Sequence, residues 1–248
     1  MDESTVDGEI ETDQPVLVLG MHRSGTSSLT GLLEEAGLFL GDVKRQSAHN
    51  AKGSRESPAV WSVNDAMLRE AGGSWRHPPA APPVVTDHHV SSVIDLVSGF
   101  PDDRAWGVKD PRILLVLEVW RRALPAARLV TTVRHPAAVA RSLAARNGME
   151  FDEAISLWAH YNSVLLEACR RGRVPIVSFD DDPSRYIMAV RAMVTSLGLR
   201  EPAGGFEFFD DGLRSRRSET SELPGDVRGL YAELLSLADD FSAVGPTS

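Results

Sequence analysis

Apolar positions change their period several times along the chain, and each change marks an element. Pro15-Val-Leu-Val-Leu-Gly20 is a continuous apolar run ended by glycine. That is the pattern of a strand covered on both faces in a parallel sheet. Over 26–37 the leucines at 29, 32 and 33 fall at helical spacing, and Gly37 supplies a C-terminal cap. Residues 38–57 are polar and without period. Helices are predicted from Pro58 to Ala71 and over 86–99, the second opened by Thr86 or Asp87, with Pro78, Pro79, Pro82 and Pro83 stiffening the chain between them. The second half alternates. Strands are predicted at Ala105–Lys109, Arg128–Val133 and Val174–Phe179, and helices at Ile113–Leu124, Pro136–Arg146, Asp152–Arg170, Ser184–Leu199 and Glu222–Phe241. Strands separated by helices of this length build βαβ units around a parallel sheet.

Composition adds little until the charge is located. Of 248 residues, 42% are hydrophobic and 25% charged, an ordinary globular balance. About 230 folded residues bury roughly 70–75% of the unfolded chain's surface, enough for a core without staples. The net charge of −9 comes from 26 basic and 35 acidic side chains. Six of the acids (Asp2, Glu3, Asp7, Glu9, Glu11 and Asp13) lie in the first fourteen residues, which hold no base. Residues 1–14 are therefore expected to be an acidic, disordered tail, and 15–245 a single near-neutral domain. A near-neutral body has no basic stripe for nucleic acid. The lone Cys169 excludes an internal disulfide framework and a Cys-rich metal site. With no apolar leader and no run of roughly 18 apolar residues, a cytoplasmic location and no membrane span are expected.

Gly20-Met-His-Arg-Ser-Gly25-Thr-Ser-Ser28 joins the first strand to the first helix. A Gly-x4-Gly loop there turns backbone N–H groups around an anion at the positive end of a helix dipole. The expected fold class is thus α/β, a P-loop-like three-layer fold with a central parallel sheet flanked by helices. A nucleoside triphosphate loop needs lysine at position 26, where this chain has Thr26. The available cation is Arg23, a shape suited to bidentate oxyanion contact.

His22-Arg23-Ser24-Gly25-Thr26-Ser27 after an apolar strand resembles the 5′-phosphosulfate loop of the sulfotransferases that use 3′-phosphoadenosine 5′-phosphosulfate (PAPS), and its Arg-Ser-Gly-Thr form is closest to the bacterial and tyrosylprotein branches. The resemblance implies that these six residues hold the 5′-phosphate and the sulfuryl group. Arg134 ends a predicted strand, at the sheet edge where open α/β folds bind ligands. Its spacing of eight residues to Ser142 resembles the family's 3′-phosphate motif. Lys109, in Lys109-Asp-Pro-Arg112, ends another strand on the same edge and resembles the transition-state lysine of the tyrosylprotein branch, while Asp110 and Arg112 organise the turn.

Sulfuryl transfer is an in-line displacement through a loose transition state, governed by positioning and oxyanion stabilisation. It requires a cation on the leaving phosphate, a cation on the sulfuryl oxygens and a base for the acceptor hydroxyl. The resemblance assigns Lys109 to the first and Arg23 to the second, and leaves Glu56 and His49 as rival bases. It also implies that the basic cluster Arg214, Arg216 and Arg217 closes over the 3′-phosphate. His135 is read as structural, His88 and His89 as surface residues, and Trp61, Met67 and Trp75 as core residues or an acceptor lining. No metal is required. The expectation is transfer from PAPS to a hydroxyl of a small molecule, glycan, lipid or natural product, leaving adenosine 3′,5′-bisphosphate. A small-molecule P-loop kinase and a catalytically silent nucleotide-binding protein are the alternatives. The acceptor and the oligomeric state stay open.

Overall fold

A computed structural model describes residues 14–46, 52–213 and 222–244. Apart from Gln14, the predicted acidic tail lies outside them. Four strands, β1 (Val16–Leu19), β2 (Gly107–Lys109), β3 (Arg128–Val133) and β4 (Ile176–Ser178), pair in parallel in the order β2-β1-β3-β4. In the register, Val18 of β1 stands beside Lys109 on one side and Val130 on the other. Alternate β1 residues serve different cores. Val16 and Val18 join one apolar cluster, and Leu17 and Leu19 join the other. With a period of two and both faces covered, the strand has no polar position, which is why it reads as an unbroken apolar run.

On the Val16 and Val18 face lie α1 (Thr26–Glu35) and α7 (Pro183–Ser196), which contribute Leu29, Leu32, Leu33, Val190, Met193 and Val194. The opposite face carries α2 (Pro58–Glu70), α3 (Asp87–Val97), α4 (Leu117–Ala123), α5 (Pro136–Asn147), α6 (Phe151–Arg171) and α8 (Gly225–Val244) around Trp120, Trp158 and Tyr161. The result is the α/β three-layer architecture expected from the pattern. After β1 the chain enters α1 on one face, and after β3 it enters α5 on the other. The C-terminal ends of β1 and β3 therefore flank the crevice that such a reversal opens.

Two expectations need correction. The predicted helix over 113–124 is instead a 3-10 turn, Pro111–Val116, followed by the short α4. All six residues of the turn are buried, so none of the solvent-facing stripe that defines an amphipathic α-helix exists there. At Val116 the backbone (φ −122°, ψ 22°) leaves the helical region and separates the two pieces. His89 is also not a surface residue, although His88 is exposed. His89 is buried, with Nε2 2.8 Å from Glu70 Oε2 and Nδ1 3.0 Å from the Val84 carbonyl. It ties the proline-rich segment to α2. Thr86 is the cap of α3, its hydroxyl accepting from the His89 N–H at 3.1 Å.

Candidate functional site

The loop between β1 and α1 is shaped by three residues with positive φ. Gly20 (φ +134°) and Gly25 (φ +92°) bracket Arg23 (φ +66°), a non-glycine in the left-handed region. A Cβ on Gly25 would stand 2.4 Å from the Phe179 ring, and one on Gly20 would stand 2.7 Å from Thr26 Cγ2. Both positions thus need glycine for space as well as for conformation. No side chain caps the start of α1, and its first turn holds no acid. Gly25, Thr26, Ser27 and Ser28 instead line a cavity of about 520 Å³. The helix dipole and its first N–H groups therefore favour an anion there.

The two halves of the predicted donor site meet across the crevice. Arg23 Nε donates to Ser142 Oγ at 2.7 Å, and Arg134 Nη1 donates to the Arg23 carbonyl at 3.1 Å. Ser142 sits behind Arg23 on α5 rather than in the cavity lining, whereas Arg23 and Arg134 both line it. Arg134 is buried, with Nε 3.9 Å from Asp180 and its guanidinium 5.2 Å from the Phe179 ring centre. His135 is structural: its Nδ1 accepts from the Ala137 N–H at 3.2 Å and starts α5. Ser24 is buried beneath the loop, and its carbonyl accepts from Thr132 Oγ1 at 3.2 Å.

Lys109 emerges from β2 only 3% exposed. Its Nζ donates to Glu56 Oε1 at 2.7 Å and lies 3.4 Å from Ser27 Oγ. Burial pushes the Glu56 carboxyl up, but the charge and hydrogen bond of Lys109, with the charge of Arg112, outweigh it and leave the pKa below the ordinary value. Behind the pair, His22 packs against Trp75 with ring centres 4.6 Å apart. Burial, reinforced by the charges of Arg112, Lys109 and Arg146 against the opposing Glu56, lowers the His22 imidazole to about 3. It is neutral at physiological pH. Its Nε2 is buried without a hydrogen-bond partner among the described residues.

Seven basic side chains line the cavity against two acids, Glu56 and Asp210. Several of these residues were not singled out from sequence. Arg146 lies one turn beyond Ser142 on α5, so helical spacing from the Arg134 motif was a usable signal. Phe179 follows β4 at the same sheet edge as Lys109 and Arg134. Lys44 and Lys52 come from the aperiodic stretch, where no pattern marks them. Lys52 Nζ holds the carbonyls of Phe208 and Glu207 at 2.6 and 3.1 Å, drawing that loop to the cavity rim. Arg112 organises its turn, donating from its N–H and Nη1 to Asp110 at 2.7 and 3.2 Å, yet it also lines the cavity. Of the acceptor candidates, Met67 is in the core, Trp75 lines the cavity and Trp61 is exposed. His49, Arg214, Arg216 and Arg217 lie outside the described residues. Among the described residues no cluster of His, Cys, Asp and Glu is placed to hold a metal ion, and no helix is long and apolar enough to cross a membrane.

A family model described as "Sulfotransferase family" matches residues 15–202. The chain resembles the sulfotransferase domain from the curacin biosynthetic pathway with a TM-score of 0.56 at 15% identity, covering 90% of this chain and 97% of that one. A sulfotransferase from Alicyclobacillus acidocaldarius aligns with a TM-score of 0.51 at 16% identity over 93% and 96% of the two chains. The sulfotransferase domain of the Synechococcus PCC 7002 olefin synthase gives 0.50 at 18% identity over 94% and 96%. At such identities these structures attest the fold. No curated protein matches the chain.

Proposed function

The chain belongs to the sulfotransferase family, and on that premise we propose that it moves a sulfuryl group from PAPS to an acceptor hydroxyl, releasing adenosine 3′,5′-bisphosphate. The observation that carries this reading is the joined cradle. The uncapped start of α1 opens on a cavity bordered by Arg23 and Arg134, with Arg23 bonded to Ser142 and to Arg134. An anion held at both ends fits that donor set: Thr26, Ser27 and the first N–H groups of α1 would hold the 5′-phosphosulfate, and Arg134 the 3′-phosphate. Arg23, bridging the two, would face the sulfuryl oxygens.

Lys109 and Glu56 then divide the chemistry. Glu56, ionised because its pKa is depressed, takes the proton of the acceptor hydroxyl as that oxygen bonds to sulfur. Lys109 meets the negative charge gathering on the 5′-phosphate oxygen as its bond to sulfur breaks. Lys109 cannot give its full charge to both groups. As it turns toward the leaving oxygen, Glu56 keeps the burial that raises its pKa and loses the cation that lowers it, so its basicity grows when a base is needed.

Radiolabelled PAPS incubated with a library of hydroxylated acceptors tests the reading. The expected outcome is acceptor-dependent label transfer with stoichiometric adenosine bisphosphate. Transfer of phosphate from ATP to the same library, with none from PAPS, would overturn it.

A further inference from the structure

Around Lys44 the rim of the cavity has a different character from the donor cradle. Lys44 is fixed beside Glu56 by main-chain pairing: the Lys44 N–H donates to the Glu56 carbonyl and the Arg55 N–H to the Lys44 carbonyl, each at 3.0 Å. Its Nζ lies 5.7 Å from the ring centre of Trp61, in the first turns of α2, and the Arg112 guanidinium lies 5.5 Å from the same ring. Trp61 is 43% exposed, one of four large apolar side chains left open among the described residues. An open indole beside two cavity-lining cations forms a partly apolar, partly charged ledge at the cavity rim, outside the lining itself.

The charges of this ledge do not cancel. Glu56 is taken by Lys109 at 2.7 Å. Asp110 holds Arg112 at 3.2 Å, and Asp65 lies 3.6 Å from Arg112 and 3.7 Å from Arg69. Three carboxylates thus face Lys109, Arg112 and Arg69. Lys44 is left with no acidic partner within ion-pair distance among the described residues, and it lines the cavity. The donor cradle proposed above is built from the start of α1, Arg23 and Arg134 and does not call on Lys44.

We propose that Lys44, braced over Trp61, reads an anionic group on the acceptor. The substrates are then hydroxyl compounds that carry an acid group, their carbon skeleton lying along Trp61 and their hydroxyl reaching Glu56. The inference rests on the sulfotransferase reading for the identity of the reacting hydroxyl. The charge preference itself is a property of the ledge.

Matched sets separate the two. A panel of aromatic and aliphatic hydroxy acids, each with its methyl ester and an amine analogue (4-hydroxyphenylacetate, its ester and tyramine among them), is titrated by ligand-detected NMR. Binding is measured with and without adenosine 3′,5′-bisphosphate on the wild type, Lys44→Ala and Lys44→Glu. The acids should bind the wild type at least about tenfold more tightly than their esters, the scale of one charge-assisted hydrogen bond. Lys44→Ala should erase that ratio and Lys44→Glu should shift preference to the amines, with adenosine bisphosphate affinity unchanged in both. Esters or amines binding as well as acids, a preference surviving in Lys44→Ala, or no acid binding at all would each overturn the proposal. Failure of adenosine bisphosphate to bind, with the acid preference intact, would instead count against the donor assignment alone.

Discussion

Glu56 and Lys109 hold each other at 2.7 Å in a partly buried setting, and this sets the pH behaviour expected of the catalyst. The Glu56 pKa is depressed, so the carboxylate is lost only when pH falls below the ordinary value of 4.5. His22, at about 3, is neutral above that pH and adds no limb near neutrality. With Glu56 as base, kcat/KM for the acceptor should have no acid limb between about pH 5.5 and 8. A histidine base such as His49 would place a limb at about 6.5. A limb there that disappears in His49→Ala would transfer the role to His49. The same pair predicts the phenotype of Lys109→Ala: kcat falls by about 10²–10³, the scale of removing one oxyanion-stabilising donor, while the affinity for PAPS itself, whose bridging oxygen is still bonded to sulfur, stays nearly unchanged. A loss confined to affinity would make Lys109 a binding residue. Which single residues were legible follows from distance along the chain. Lys109 ends β2 and Arg134 directly follows β3, so one edge argument finds both. The Arg23–Ser142 bond spans 119 positions, and His89 is buried by Glu70 and the Val84 carbonyl. Neither pairing leaves a local pattern to read.

At the scale of elements, period and punctuation carried far. β1 shows itself because both its faces are covered, and α5 because Pro136 opens it. The stretch from Pro111 to Ala123 was not legible as a 3-10 turn followed by α4, because an apolar run buried on every side has no period to choose between them. The ledge beside Glu56 depends on how α2 is anchored. Trp120 Nε1 of α4 donates to Asn64 Oδ1 of α2 at 2.7 Å, both fully buried. Asn64→Ala leaves that indole N–H unsatisfied and should cost about 1–3 kcal/mol, read as a lower denaturation midpoint with an unchanged m-value. A change under about 0.5 kcal/mol would mean that α2 is held by packing alone.

Across the whole molecule, a net charge of −9 coexists with a cavity lined by seven basic side chains and two acids. Six of the chain's acids sit in its first fourteen residues, so the overall sign says little about the ligand. The topology decides where the cations meet. Strand order β2-β1-β3-β4 places the ends of β2, β1 and β3 side by side, which brings Lys109, the Arg23 loop and Arg134 to one edge. The central claim is that this edge recognises a nucleotide by a 3′-phosphate rather than by a triphosphate. Isothermal calorimetry of wild type and Arg134→Ala against adenosine 3′,5′-bisphosphate and Mg-ATP tests it most directly. The bisphosphate should bind the wild type and Mg-ATP should not. Arg134→Ala should weaken the bisphosphate by about 1.5–3 kcal/mol, the loss of a charged hydrogen bond. Tighter binding of Mg-ATP than of the bisphosphate, or a bisphosphate affinity untouched by Arg134→Ala, would contradict it.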